Sequence, residues 1–209
     1  MKPILIITFL LSVSVNVQAA DSLIQAQTAL RSIISGKSAT IVPVVDGAPV
    51  EDGAARNQAP AFKLKGLDGK TISLSDYRGK YVLLDFFTTW CKYCKKAIPG
   101  VVEAQAKYGK KGLNIIIINK GESAATIKKY AANPWDEYNR PFKDAKGLPL
   151  QIKSPFLADP GSRISNQYLA FSIPTFVLIG PNGSIIDRGT GAPAKDRLIK
   201  KWKQLAGIK

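Results

Sequence analysis

The apolar run Tyr81-Val82-Leu83-Leu84-Asp85-Phe86-Phe87 passes within a few residues into Cys91-Lys92-Tyr93-Cys94, and this junction restricts the chain more than any other feature. A run that is apolar nearly throughout reads as a strand buried on both faces. Two cysteines three apart come within disulfide reach at the first turn of a helix, so a helix is expected from about Cys91 to Gly109. A buried strand handing over to a helix requires a sheet around the one and a helix layer containing the other.

The rest of the chain supplies those parts. Phe62-Lys63-Leu64 and Thr71-Ile72-Ser73-Leu74, joined by Leu67-Asp68-Gly69-Lys70, predict a hairpin. Leu113 to Asn119, with four consecutive isoleucines, is too short and too β-branched for an isolated helix and predicts a second buried strand. A helix is expected from Ser123, its cap, to Ala132, then an irregular stretch over residues 133–154. Phe156-Leu157 predicts a short strand, Asp159-Pro160-Gly161 a turn, and Ile164 to Ala170 a helix. Phe176 to Gly180 and Ser184 to Arg188 flank the turn Pro181-Asn182-Gly183 as a second hairpin. The final helix, Ala194 to Ala206 with Pro193 before it, places Leu198, Trp202 and Leu205 on one face. The fold class is therefore α/β, a mixed sheet flanked by helices with an N-terminal hairpin extension.

The chain opens with Met1-Lys2, an apolar run from Ile4 to Val17, and small residues at Ala19 and Ala20. At about 14 residues the run is shorter than the roughly 20 a helix needs to cross a bilayer, and it has the layout of a cleaved signal peptide, residues 1–19. Residues 20–59 are expected to form an amphipathic helix capped by Asp21, then a linker, and residues 60–209 the main domain. A periplasmic or secreted location follows. The net charge of +15 favours anionic membrane surfaces or acidic partners. The lysines are scattered and lack a nucleic-acid motif, so no specific nucleic-acid partner is expected.

The chain contains no histidine, which removes Ser-His-Asp and Cys-His catalysis and imidazole haem ligation. Two cysteines cannot complete a structural zinc site within one chain. No metal and no cofactor is expected; cysteine and carboxylate chemistry remains. Cys91 at a helix N-terminus, with Lys92, Lys95 and Lys96 in the same turn, has surroundings that favour thiolate, making it the attacking sulfur. Cys94, one turn further in, would resolve the mixed disulfide. A purely structural disulfide here would close a very small loop and stabilise little. Asp85 is costly to bury charged. As a neutral-leaning acid beneath the dithiol it can exchange a proton with Cys94.

These residues resemble the thioredoxin superfamily. Asp85 six residues before Cys91, Trp90 beside it, Cys91-Lys92-Tyr93-Cys94, and Pro99 five residues after Cys94 are similar to its active-site segment. Ser172-Ile173-Pro174-Thr175-Phe176 resembles its cis-proline loop. The hairpin and Leu74-Ser75-Asp76-Tyr77-Arg78-Gly79-Lys80 are similar to the exported TlpA/ResA-like, AhpC/TSA-related branch. The resemblance implies a cis bond before Pro174 that contacts Cys91, a substrate-binding role for Trp90, Ile173, Pro174 and Thr175, and a redox-active Cys91-Cys94 disulfide. Cytoplasmic thioredoxins carry a lysine near their buried aspartate, but the matching stretch here, Ile115 to Ile118, is apolar, so Asp85 is expected to lack that partner.

The implied activity is an exported thiol-disulfide oxidoreductase, a reductase in the first reading, that serves cysteine-containing exported proteins and is paired with an upstream redox donor or acceptor. The alternatives are a disulfide oxidase or isomerase, a thiol peroxidase suggested by Thr88-Thr89-Trp90-Cys91, and a Cu(I)-binding module using two thiolates. The peroxidase reading has Leu84 where peroxiredoxins carry proline.

Overall fold

Apolar runs become strands at nearly the expected bounds in the computed structural model, which describes residues 57–209. The expected signal peptide, amphipathic helix and most of the linker lie outside the described residues. The N-terminal hairpin is β1 (Lys63–Lys65) paired antiparallel with β2 (Thr71–Ser73). The main strands are β3 (Tyr81–Phe87), β4 (Leu113–Lys120), β5 (Phe156–Asp159), β6 (Thr175–Ile179) and β7 (Ile185–Thr190). The helices are α1 (Lys92–Tyr108), α2 (Ala124–Ala132), α3 (Arg163–Gln167) and α4 (Ala192–Leu205).

The five main strands form one sheet in the order β5-β4-β3-β6-β7. β3, β4 and β5 run parallel, while β6 is antiparallel to β3 and β7 to β6. The β6–β7 turn needs a residue with positive φ, which Gly183 supplies at 83°. β3 is central, with Asp85 opposite Ile117 on one side and Phe176 on the other.

Side chains alternate across a strand, and the alternation builds two cores. Leu83 and Phe87 of β3, Ile115 and Ile117 of β4, and the inner faces of α1, α2 and α4 form one. Val82, Leu84 and Phe86, Ile116 and Ile118, and Ile164 and Tyr168 form the other. Asp85 shares the parity of Leu83 and Phe87, so it belongs to the face covered by α1.

In α1, Cys94, Ala97, Ile98, Val101 and Ala104 are buried at helical spacing. In α4, Leu198 and Trp202 are buried as expected, each contributing about 1.5–3 kcal/mol of apolar stabilisation. Leu205 is a correction: it is 52% exposed as the last residue of the helix, and Ile199 fills the stripe instead. The expected 164–170 helix is shorter, ending at Gln167 before Leu169 takes a positive φ.

Candidate active site

β3 ends at Phe87, and Thr88-Thr89-Trp90 carries the chain to Cys91, the N-cap of α1. The Cys94 backbone N–H donates to Cys91 Sγ at 3.2 Å, so a sulfur takes the place of a capping oxygen. Both thiols are free, and Cys94 is the more deeply buried, at 1% exposure against 6% for Cys91. Burial pushes the Cys94 thiol far above its ordinary range, helped by hydrogen bonding with Cys91 and opposed by a backbone hydrogen bond from Thr88.

Beneath them lies Asp85, 1% exposed, with neither carboxylate oxygen hydrogen-bonded. Burial raises its pKa to about 8, and Lys195 of α4 acts in the opposite direction. Asp85 and Cys94 each disfavour ionisation of the other, since two anions side by side in an apolar setting repel. Tyr130 of α2, also buried on this face, is raised chiefly by burial and further by Asp85 and Cys94. The arrangement favours one shared negative charge among these groups over several.

Facing the dithiol is the loop between α3 and β6. The Ile173-Pro174 peptide bond is cis, and the Cys91 thiol donates to the Ile173 carbonyl at 3.6 Å, so both features implied by the resemblance are present. The loop is pinned on each side: the Gly191 N–H donates to the Pro174 carbonyl at 2.8 Å, and the Thr175 hydroxyl donates to the Ser172 carbonyl. Thr175 itself is buried and turned into that bond. Trp90, Tyr93 and Phe171 are exposed and give this end of the molecule apolar surface.

The three lysines near the dithiol do not act alike. Lys95 is buried, its ammonium donating to the Asp136 carbonyl at 3.3 Å and lying 5.7 Å from the centre of the Trp135 ring. Lys96 pairs with Glu137 at 3.2 Å. Two of the charges expected to bear on Cys91 are thus engaged with residues 133–154, and of the three Lys92 alone is exposed and outside any ion pair among the described residues. That stretch is irregular but ordered by its own contacts. Asp136 accepts from the backbone of Tyr138 and Arg140 and from the Arg140 side chain, and short bridges join Trp135 to Pro141 and Lys143 to Pro149.

Glu122, just past β4, was not expected from the sequence. Its carboxylate accepts the Thr89 N–H at 2.7 Å, the Thr89 hydroxyl at 2.5 Å and the Asn119 amide at 2.6 Å. It holds the segment leading to Trp90 and Cys91 against the end of β4. The available signal was weak: a strand end followed by Gly121 and an acid.

A family model described as AhpC/TSA family matches residues 55–188. The thiol-disulfide oxidoreductase ResA of Bacillus cereus (strain ATCC 10987 / NRS 248) is 32% identical over 148 residues, which cover 71% of this chain and 76% of that protein. Among solved structures, a Chlorobium tepidum protein provisionally assigned as the thiol:disulfide interchange protein DsbE superposes with a TM-score of 0.58 at 27% identity, covering 72% of this chain and 95% of the other. The pneumococcal exposed lipoprotein thioredoxin of Streptococcus pneumoniae gives a TM-score of 0.52 at 28% identity, covering 68% and 99%.

Proposed function

This chain belongs to the AhpC/TSA family as a TlpA/ResA-like thioredoxin-superfamily protein and a thiol-disulfide oxidoreductase, and from that premise we propose that it is an exported reductase of disulfides in other exported proteins. In the forward direction Cys91, as thiolate, attacks one sulfur of a substrate disulfide. A Cys91-substrate mixed disulfide forms and the first substrate sulfur leaves as a thiolate. In the fraction of molecules whose Asp85 is ionised, Cys94 then gives its proton to that carboxylate and attacks Cys91 Sγ. The Cys91-Cys94 disulfide closes and the second substrate sulfur leaves. Each leaving thiolate takes up a proton, two electrons having passed to the substrate. An upstream thiol donor restores the dithiol.

The roles follow from position. Cys91 is the sulfur at the helix N-terminus, closest to solvent and in line with the cis-proline loop. Trp90, Ile173 and Pro174 flank it where a substrate strand would lie, and Thr175 fixes the loop. Cys94 and Asp85 are shielded beneath and not hydrogen-bonded to each other, so a proton passes between them by way of one intervening water.

The observation that carries the direction of electron flow is the engagement of Lys95 and Lys96 with residues 136 and 137. Strongly oxidising dithiols owe their potential to a stabilised reduced form. Around Cys91 stand one backbone N–H, the N-terminus of α1 and exposed Lys92, while Lys96 is neutralised by Glu137, Lys95 is held against a carbonyl, and the chain has no histidine. Equilibration with glutathione should give a potential nearer the roughly −270 mV of thioredoxin than the roughly −120 mV of a dedicated oxidase. A value at the oxidising end would reverse the assignment. Trapping with Cys94→Ser should leave exported cysteine-containing proteins attached to Cys91. Export is read from residues 1–20, and a mature N-terminus at Ala20 or Asp21 tests it. The basic charge suits an anionic membrane surface or acidic partners.

A further inference from the structure

We propose that the turn closing β4, residues 119–122, is the frame of the substrate groove: it holds both walls and so sets how wide the groove stands for an extended peptide around the substrate disulfide. The proposal rests on the reading of Trp90, Ile173 and Pro174 as the walls between which substrate lies, and it adds Lys120 and Glu122 as positioning residues.

The turn is itself fixed from several sides. Asn119, fully buried, pairs with Phe87 at the end of β3. Its side chain accepts the Glu122 N–H at 3.1 Å and donates to the Glu122 carboxylate at 2.6 Å. Gly121, at a φ of 85° that favours glycine, donates its N–H to the Asp159 carbonyl at 2.9 Å and ties the turn to β5. Lys120 and Glu122 are half-buried, presented by a mount that neighbouring strands hold in place.

From this mount the two side chains reach different loops. Glu122 takes the N–H and the hydroxyl of Thr89, two residues before Cys91, and so sets the wall that carries Trp90. Lys120 donates to the Ala170 carbonyl at 3.0 Å, three residues before Ile173, and its ammonium lies 5.9 Å from the centre of the Phe171 ring. With the Gly191 N–H on the Pro174 carbonyl, the loop over residues 170–174 is held at both ends. The walls meet where the Cys91 thiol reaches the Ile173 carbonyl at 3.6 Å. Trp90 and Phe171, 70% and 68% exposed, are their apolar rims.

Lys120 and Glu122 stand two apart with opposite charges, yet among the described residues neither enters an ion pair. Each spends its charge on neutral groups of a different loop. Hydrogen bonds to a charged partner are stronger than neutral ones, and stronger again where water is partly excluded. Neither side chain is bonded to a sulfur, so losing one leaves the thiol chemistry in place and loosens a wall beside it. An extended peptide must touch both walls at once and registers that loss. A small disulfide needs only Cys91 and does not.

Two thionitrobenzoate disulfides test this, one on an extended peptide with a single cysteine and one on free cysteine, each mixed with the pre-reduced protein in a stopped-flow instrument. Lys120→Met, and Glu122→Gln with one acceptor oxygen left for three donors, should each raise the half-saturating peptide concentration about tenfold with the limiting rate held, the mark of lost binding rather than lost chemistry. The second-order rate constant with the cysteine disulfide should stay within about twofold of the native chain. Lys120→Arg, still able to reach the carbonyl, should restore peptide binding. Trp90→Ala reports on the walls themselves. If it weakens peptide binding while folded Lys120→Met and Glu122→Gln do not, the frame is overturned and the walls stand. If none of the three weakens it, the walls are overturned and the frame with them. Equal slowing with both disulfides also overturns the frame, since it marks a general disturbance of Cys91. Should one of the two turn variants fail to fold, the other decides.

Discussion

Asp159, at the end of β5, and Asp85, in the middle of β3, are both shielded from water, at 3% and 1% exposure, but their surroundings are opposite. The Asp159 carboxylate collects the N–H groups of Ile164 and Ser165, at 3.3 and 2.8 Å, and the Ser165 hydroxyl at 2.8 Å. It ties the strand to the start of α3, as caps do. Asp85 collects nothing. A buried acid with all its donors is a fastener, and one without them is held away from its preferred state, which is what a proton carrier needs. Burial does not separate the two; hydrogen-bond satisfaction does.

The contrast breaks first, and with the largest effect, at Asp85. Asp85→Asn keeps the shape and removes the proton acceptor, so resolution of the mixed disulfide at pH 7 should slow by about a hundredfold. Stopped-flow measurement with a small disulfide checks this, and an unchanged rate would make Asp85 a mere remnant. Asp159→Ala should do the reverse, leaving the rate intact while lowering stability by about 2 kcal/mol, because it strands buried donors. Chemical denaturation with parallel activity assays would show whether the two effects separate.

The smallest step, taken per unit of pH, is in pH dependence. The Asp85 carboxyl lies at about 8 in the fold against 3.8 as its ordinary value, so the folded state holds a proton that the unfolded chain releases. The stability tied to that proton is intact below about pH 4 and is lost as pH rises towards 8, by at most about 1.4 kcal/mol per pH unit. Denaturation midpoints compared across that range should show the slope in the native chain and not in Asp85→Asn. Asp159→Ala should keep the slope.

How much of this could be read in advance depended on distance along the chain. β3, β4 and both hairpins follow from runs and turn residues that interact with near neighbours, and the sequence bounds are close to the observed ones. Cys91, Cys94 and Asp85 were visible because one strand-turn-helix unit carries all three. The cis-proline loop came from its resemblance to a known pattern, since nothing local to Ile173-Pro174 declares its position opposite Cys91. Glu122 clamps Thr89 from 33 residues away, and Lys120 holds the Ala170 carbonyl from 50 away. Neither has a sequence period or a spacing to betray it. Lys95 and Lys96 show the converse error: their number and place suggested a shared charge, but only the path of residues 133–154 reveals where each charge goes. Leu205 obeyed the helical period and is nonetheless exposed, while Ala206 and Ile208 just beyond it pack against the core.

The attachment of residues 136 and 137 to the dithiol helix through Lys95 and Lys96 has a bearing on divergence. In many enzymes a surface insertion can be exchanged or lengthened to acquire a new client while the chemistry beneath stays as it was. Here a change in residues 133–154 would also release or rebury two cations beside the reacting sulfurs. In this chain the surface of residues 133–154 and the placement of two cations on the dithiol helix are therefore mechanically one unit, and a graft of that stretch would have to bring the helix with it.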